Sequence, residues 1–169
     1  MKAQVERLVE RINSRFGVET AKPIHYRYEH LEPAEVAVYY RMADFAMVTS
    51  LHDGMNLVAK EFVASQVERP GVLICSEFAG AAEELDNALL INPYDTESVA
   101  DTLKQAIEMS PEDKAQRLAR LQTHIAEHNI YKWLADIFST LARLQGERAV
   151  PALAALEAPG SHLPVLYHA

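Results

Sequence analysis

The segment from Asp53 to Glu61 combines a carboxylate, a glycine and an asparagine, and a helical pattern with a second carboxylate follows. Gly54 allows the backbone to come close to a ligand, and Asn56 is a residue type that caps helices. The amides of Leu57 and Val58 would then face outward, with the positive end of the helix dipole behind them. This arrangement predicts a seat for the diphosphate of a nucleotide.

Two carboxylates in the same segment predict contacts with hydroxyl groups. Glu61 follows Leu57 by four residues, so it lies on the same helical face one turn later and could accept both hydroxyls of a ribose. Asp53 would point into the mouth of the pocket and could bind sugar hydroxyls. The alternative is structural, because an Asp-Gly turn with an Asn cap begins many helices and Glu61 would then be a solvated surface residue.

Short apolar runs predict the strands that position this segment. They cover Phe45 to Thr49, Gly71 to Cys75 and Ala88 to Ile91, as expected for strands buried on both faces, and a further strand is predicted around Ile24, Tyr26 and Tyr28. Helical patterns at 56–66 and 79–85 alternate with them. The fold class is therefore α/β, a Rossmann-like parallel sheet with flanking helices, and ligands bind at the carboxyl ends of such strands.

Helices are predicted at both ends of this sheet. The first covers residues 3 to 16, and a second begins at Pro33 and ends near Met42 with Val36, Tyr39 and Tyr40 facing inward. Three more follow, with Asp95, Ser110 and Asn129 as N-caps, and they form a C-terminal helical segment. The last of these helices, α7, is predicted at residues 130–144 and carries an apolar stripe. We call this set of residues the α7 stripe: Ile130, Trp133, Leu134, Ile137, Phe138, Leu141 and Leu144. Residues 146–169 lack a sustained period and are predicted to be an irregular or mobile tail after a domain at 1–145.

Composition excludes several classes of protein. The 169 residues carry 16 Lys and Arg against 24 Asp and Glu, a net charge of −8, which disfavours nucleic acid as a partner. No apolar run reaches the ~20 residues of a membrane span, so no membrane contact is expected. Cys75 is the single cysteine, which excludes an internal disulfide and a multi-thiolate metal site and fits a cytoplasmic protein.

A pair of histidines gives a second, weaker candidate for chemistry. His124 and His128 with Glu127 match the His-x-x-Glu-His pattern of one class of zinc peptidases. Asn129 is predicted to begin a new helix directly afterwards, so His128 would end the preceding one, where a histidine complements the helix dipole. We therefore interpret the pair as structural, and Trp133 as a core anchor.

Several segments, in the same order and spacing, resemble the trehalose-6-phosphate synthase family. The most specific is the nine-residue run Asp53-Gly54-Met55-Asn56-Leu57-Val58-Ala59-Lys60-Glu61, and the others are Gly71-Val72-Leu73, the segment from Ser76 to Leu85, and Asn92-Pro93-Tyr94-Asp95. The resemblance extends from Arg11 to about Leu144. Two residues beside the nine-residue run depart from the family, because His52 replaces the usual arginine and Ser50 the usual proline.

The resemblance implies a retaining glucosyltransferase with two Rossmann-like halves, which transfers glucose from UDP-glucose to glucose 6-phosphate without a cofactor or a required metal. Residues 1–145 correspond to the half that binds the nucleotide-sugar donor. Leu57 to Glu61, including Val58, Ala59 and Lys60, would hold the nucleotide, and Asp53, Gly54, Met55 and Asn56 would surround the donor glucose, with Asp53 positioning it for catalysis. Tyr40 matches a position whose main chain faces the uracil; its side chain could equally be a core aromatic.

The family's acceptor half, and the arginine and lysine that clamp the diphosphate, have no counterpart in these residues. We therefore expect a donor domain that is incomplete at its N-terminus and inactive as an isolated chain. Its partner would be a separately encoded N-terminal half or a second copy, in contact with the helix at 130–144. The alternative is a non-catalytic nucleotide-sugar-binding or interaction module.

Overall fold

The computed structural model describes residues 2–18 and 20–145, so the predicted tail at 146–169 lies outside the described residues. The described residues fall into two compact units that divide between Val36 and Ala37. Their elements are α1 (Lys2–Phe16), α2 (Pro33–Met42), β1 (Phe45–Val48), α3 (Leu57–Ser65), β2 (Val72–Ser76), α4 (Ala81–Glu84), β3 (Leu89–Ile91), α5 (Thr96–Glu108), α6 (Pro111–Glu127) and α7 (Ile130–Gln145).

The strands form a parallel sheet of the order β1-β2-β3, which confirms the predicted α/β class. Val48 pairs with Cys75, and Cys75 pairs with Leu90. Every residue of β2 is buried. The two outer strands differ from the prediction of burial on both faces, because Met47 of β1 and Leu90 of β3 are 39% and 47% exposed. Among the described residues, fewer side chains pack on these two positions than on β2.

The predicted strand around Tyr26 is wrong, because residues 22–32 have no regular secondary structure. The Asn13 side chain binds both the amide and the carbonyl of Ile24, at 2.9 Å each. Tyr26 and Tyr28 do share a side, with ring centroids 6.5 Å apart. No strand pairs with this segment in the part of the chain that the structure describes, so alternation alone did not indicate a strand here.

The core fixes α3 against one face of the sheet. Phe62 and Val63 of α3 are fully buried, and they pack in one cluster with Leu73 of β2 and Leu121 of α6. A separate cluster covers the other face, where Ala106 of α5 is fully buried. The helix α3 therefore lies between the sheet and α6. This packing fixes its amino terminus at the carboxyl edge of the sheet.

The predicted helices are present, and their ends follow the predicted caps. Asp95, Ser110 and Asn129 each accept a backbone amide of the first turn of their helix. The second helix has the predicted bounds, but Tyr39 is 44% exposed, so its predicted inward position is wrong. A helix i,i+1 pair cannot face one interior together, and Tyr40 takes the inward position.

The α7 stripe remains exposed, and its residues are 36% to 75% accessible. Trp133, which we predicted to be a core anchor, is 49% exposed, because no described element covers this face of α7. Among the described helices, none has both the length and the apolar character that crossing a membrane requires.

Candidate functional site

Two loops meet at the carboxyl edge of the sheet, one after β1 and one after β2. Asp53 and Ala79 form an isolated parallel bridge. The amide of Gly80 donates to the carbonyl of Asp53 over 2.9 Å, and the amide of Ala81 donates to the carbonyl of Met55 over 2.6 Å. The loop at 49–56 is therefore held by backbone bonds to the turn at 77–80, although neither forms a regular strand.

Gly80 is the residue that allows this close approach. A Cβ atom at this position would lie 2.2 Å from the Gly54 carbonyl oxygen and 3.3 Å from the Met55 Cα. Gly54 itself faces open space, with nothing within 4 Å of a Cβ built there. Gly80 is thus required by packing between loops, while Gly54 leaves room beside the loop for a ligand.

Asp53 and Asn56 organise the loop from within. The Asp53 carboxylate accepts the Met55 amide at 3.1 Å and the Asn56 Nδ2 at 2.9 Å, and Asn56 also donates to the Ser50 hydroxyl at 3.3 Å. The Met55 amide and then the Asn56 side chain lower the pKa of Asp53 below its ordinary 3.8. Asp53 is therefore ionised at neutral pH and holds the loop through these two hydrogen bonds.

Asn56 caps α3 from an unusual backbone conformation. Its φ of 71° is the one positive value among the non-glycine residues that the structure describes. Its Oδ1 accepts the Ala59 amide at 2.9 Å, as the sequence predicted for the cap. Leu57 and Val58 are 58% and 46% exposed, and their amides belong to the helical turn whose first amides have no intrahelical acceptor. This geometry can bind an anion.

Glu61 lies one turn further along α3 with an exposed carboxylate. The Tyr40 hydroxyl donates to its Oε2 at 3.2 Å. The Tyr40 ring packs edge-on against Phe62, with centroids 6.3 Å apart and planes at 83°. The ring of Tyr40 therefore contacts the core, as in the structural interpretation of this residue, and its hydroxyl also contacts Glu61, which the sequence did not predict.

The Lys60 side chain turns away from Glu61. Its Nζ donates to Glu84 Oε2 at 2.7 Å, and the side chains of Lys60 and Glu84 are 20% and 41% exposed. This ion pair ties α3 to α4. Glu84 is not among the predicted site residues, because no spacing rule joins two residues that are 24 positions apart in the chain.

The two histidines of the peptidase-like pattern stack on each other, with ring centroids 4.0 Å apart. His128 is the C-cap of α6, as predicted, and His124 Nε2 lies 3.9 Å from Glu84 Oε2. The described residues contain no group of three His, Cys, Asp or Glu side chains that could hold a metal ion. The position of His128 at the end of α6 agrees with the structural interpretation of the histidine pair.

A groove of about 430 Å³ lies between the loop and α7. Met55, Leu57 and Lys60 line one side, and Ile130 and Trp133 line the other. Another groove of about 750 Å³ is lined by Asp86, Asn87 and residues of α5 and α6. Since Asp86 and Asn87 precede β3, that groove belongs to the opposite edge of the sheet. Only the first groove adjoins the predicted site.

Cys75 lies in β2 between two other buried residues, Ile74 and Ser76. Burial, and secondarily the negative charge of Asp53, raise the pKa of its thiol. The thiol is therefore protonated at neutral pH and acts as a small apolar side chain.

The sequence model of glycosyltransferase family 20 matches residues 1–143. An alpha,alpha-trehalose-phosphate synthase [UDP-forming] A of Dictyostelium discoideum is 42% identical over 133 residues, which are 79% of this chain and 18% of that protein. A trehalose-6-phosphate synthase of an Enterobacter species is 43% identical over 141 residues, which are 83% of this chain and 30% of that protein. The chain spans less than a third of the length of these relatives.

Solved structures agree with this comparison. A structure named trehalose-6-phosphate from E. coli, bound with UDP-2-fluoro glucose, superimposes with a TM-score of 0.79 at 40% identity. The match covers 83% of this chain and 31% of that one. A synthase from Burkholderia xenovorans in complex with glucose-6-phosphate has the same TM-score of 0.79, the same 40% identity and the same two coverages, 83% and 31%. The α/β fold seen here is therefore that of part of these proteins.

Proposed function

The chain belongs to glycosyltransferase family 20, and from that premise we propose that residues 37–145 bind the nucleotide-sugar donor of a retaining glucosyl transfer, with UDP-glucose as the donor. The observation that carries this proposal is the loop at 49–56, pinned at the carboxyl edge of the sheet with the first turn of α3 open behind it. A neighbouring solved structure of the family was obtained with UDP-2-fluoro glucose.

In this proposal the amides of Leu57 and Val58 bind the diphosphate, and Glu61 accepts the ribose hydroxyls. The main chain at Tyr40 faces the uracil. Asp53 and the backbone from Gly54 to Asn56 surround the glucose, with the Asp53 carboxylate positioning it. Ala59 and Lys60 support this seat from within α3, since the Ala59 amide is capped by Asn56 and the Lys60 side chain binds Glu84.

The chemistry that follows is positioning and electrostatics. When the bond from the glucose C1 to the phosphate oxygen breaks, its electron pair and the negative charge go to the diphosphate. Amides that already point at this diphosphate, with the helix dipole behind them, stabilise that charge without reorganising. The loop-to-loop bonds keep the amides in place before the ligand arrives. Glucose 6-phosphate is the proposed acceptor, and we assign no acceptor site to the described residues.

The exposed α7 stripe supports a second part of the proposal. A contiguous apolar face of this kind is typical of a surface that another chain or domain covers. We assign it to an interface with an N-terminal synthase half or with a second copy of this chain. If the chain binds a partner but no nucleotide sugar, the alternative function is that of an interaction module.

The experiment that tests donor binding is a titration of the ¹⁵N-labelled chain with UDP, in which NMR measures the changes in the amide chemical shifts. The proposal predicts the largest changes at Leu57, Val58 and the residues around Asp53, with none at the groove around Asp101 and Gln105 between α5 and α6. Adenosine diphosphate serves as the control nucleotide, because it has the same diphosphate and ribose with a different base. Saturable changes confined to other surfaces would contradict the proposed site.

A further inference from the structure

The hydroxyl of Tyr40 is the one polar side-chain group that the structure places against the carboxylate of Glu61 among the described residues. The two residues are on different helices, α2 and α3, and 21 positions apart. Tyr40 is held at its ring and at its main chain. Its edge-on contact with the fully buried Phe62 fixes the ring, and the Tyr40 carbonyl accepts a hydrogen bond from the Gln66 side chain.

The hydroxyl is a donor under ordinary conditions. Burial, followed by the charge and the hydrogen bond of Glu61, raises the pKa of Tyr40 above its usual 10.0. The phenol is therefore protonated at neutral pH and donates to the carboxylate. An ionised carboxylate offers about four lone-pair sites, so one bond from Tyr40 leaves both oxygens able to accept from a ligand.

A glutamate that must accept two vicinal hydroxyls benefits from a fixed orientation. Free rotation of its side chain is lost on ligand binding, and this loss weakens the complex. We propose that Tyr40 is a positioning residue whose side chain holds the Glu61 carboxylate in the orientation that accepts the 2′ and 3′ hydroxyls of the donor ribose. This inference rests on the proposed function and adds a role for the Tyr40 side chain.

The test compares Tyr40→Phe with the unmodified chain in calorimetric titrations with UDP and with 2′-deoxyuridine diphosphate. Phenylalanine keeps the ring that packs on Phe62 and removes only the hydroxyl. The matched control is Tyr28→Phe, because Tyr28 stacks on Tyr26 in the other compact unit. Urea unfolding of each variant measures stability separately.

The inference predicts that Tyr40→Phe lowers the affinity for UDP roughly three- to tenfold, the range for the loss of one typical net hydrogen bond. The loss for 2′-deoxyuridine diphosphate is smaller, so the variant discriminates less between the two nucleotides. Glu61→Gln removes the discrimination, and Tyr28→Phe leaves both affinities unchanged.

Three results would overturn the inference, and they have different meanings. If the unmodified chain prefers UDP and Tyr40→Phe retains both its affinity and its preference, the role of Tyr40 is wrong while donor binding stands. If the unmodified chain binds neither nucleotide at millimolar concentration, the proposed function fails, and the role of Tyr40 fails with it. A parallel loss of both affinities in Tyr40→Phe, with unchanged discrimination, would also overturn the inference, because a merely structural role has that effect.

Discussion

The Cα of Gly80 approaches the carbonyl of Gly54 so closely that a methyl group at position 80 would lie 2.2 Å from that oxygen. The contact joins the loops that follow β1 and β2, and two backbone hydrogen bonds flank it. The loop that precedes α3 is therefore positioned by a turn that is distant in sequence. The proposed diphosphate seat depends on this approach, because α3 begins directly after the loop.

Gly80→Ala is expected to displace the loop at 53–56. Inserting a methyl into so tight a contact costs about 1–3 kcal/mol of stability, and we expect UDP affinity to fall at least about tenfold, which corresponds to about 1.4 kcal/mol. Gly17→Ala is the matched control, because a Cβ there would lie 2.4 Å from the Asn13 carbonyl oxygen in the other compact unit.

Urea unfolding and UDP titration of both glycine variants check this prediction. Both should be destabilised, but only Gly80→Ala should lose nucleotide affinity beyond what its unfolded fraction explains. Equal UDP affinity in the two variants would show that the close approach at Gly80 does not position the site.

Asn56 combines a cap and a left-handed backbone, and two substitutions separate these roles. Asn56→Ala loses the hydrogen bond to the Ala59 amide and places at a φ of 71° a residue that tolerates the left-handed region less well than asparagine does. We expect a loss of about 1.5–3 kcal/mol in the free energy of unfolding. Asn56→Gly keeps the backbone conformation and should cost about 1 kcal/mol less. Denaturant unfolding measures both, and equal losses would contradict the role of the backbone conformation.

Asp53 should give the protein an acid-dependent component of stability. Hydrogen bonds from Met55 and Asn56 lower its pKa below 3.8, so the folded state binds this proton less readily than the unfolded state does. Its contribution is therefore complete above pH 3.8 and is lost as the pH falls through the lower, folded value. In Asp53→Asn, stability should decline less steeply over that acid range.

Carbon NMR of the Asp53 carboxyl measures the titration directly. Asn56→Ala should move its midpoint upward, because one of the two donors is removed. A midpoint at or above 3.8 in the unmodified protein would contradict the hydrogen-bond network that the structure shows.

The α7 stripe predicts association. Light scattering of the isolated chain at tens of micromolar should report a mass above that of a monomer of 18.9 kDa, because the stripe exposes apolar area that dimerisation or a partner would bury. Phe138→Glu should restore the monomer, since Phe138 is 51% exposed within the stripe. Ile107→Glu is the control, because Ile107 is 60% exposed on α5. A monomeric unmodified chain would contradict association through a second copy.

The sequence predicts most elements of the sheet because each strand of the described structure is a short apolar run. It predicts the starts of α3, α5, α6 and α7 because each of these helices carries a polar cap. The predicted strand at 24–28 is wrong for a physical reason. Alternation of apolar and polar residues is compatible with a strand, but it does not indicate whether a neighbouring strand completes the hydrogen bonds. Trp133 was misplaced for a related reason. An apolar stripe specifies that a helix face needs cover, and the chain itself need not supply it.

The candidate site was predictable where its residues are adjacent in sequence. Asn56 and the first turn of α3 follow local rules of capping and helix polarity. Gly80, Glu84 and the hydroxyl of Tyr40 act across loops and helices, so no local pattern identifies them. The family resemblance identified the segments that form the candidate site. The structure adds that Lys60 binds Glu84 and that Glu61 binds Tyr40.

Calorimetric titration of the chain with UDP, UDP-glucose and GDP-glucose, repeated with Glu61→Ala, tests the central claim most directly. The account predicts weak binding, with a dissociation constant of roughly a millimolar or below, selectivity for the uridine ligands, and loss of most of the affinity in Glu61→Ala. Absence of binding at millimolar concentration, or binding that Glu61→Ala leaves unchanged, would contradict a donor site at the amino terminus of α3.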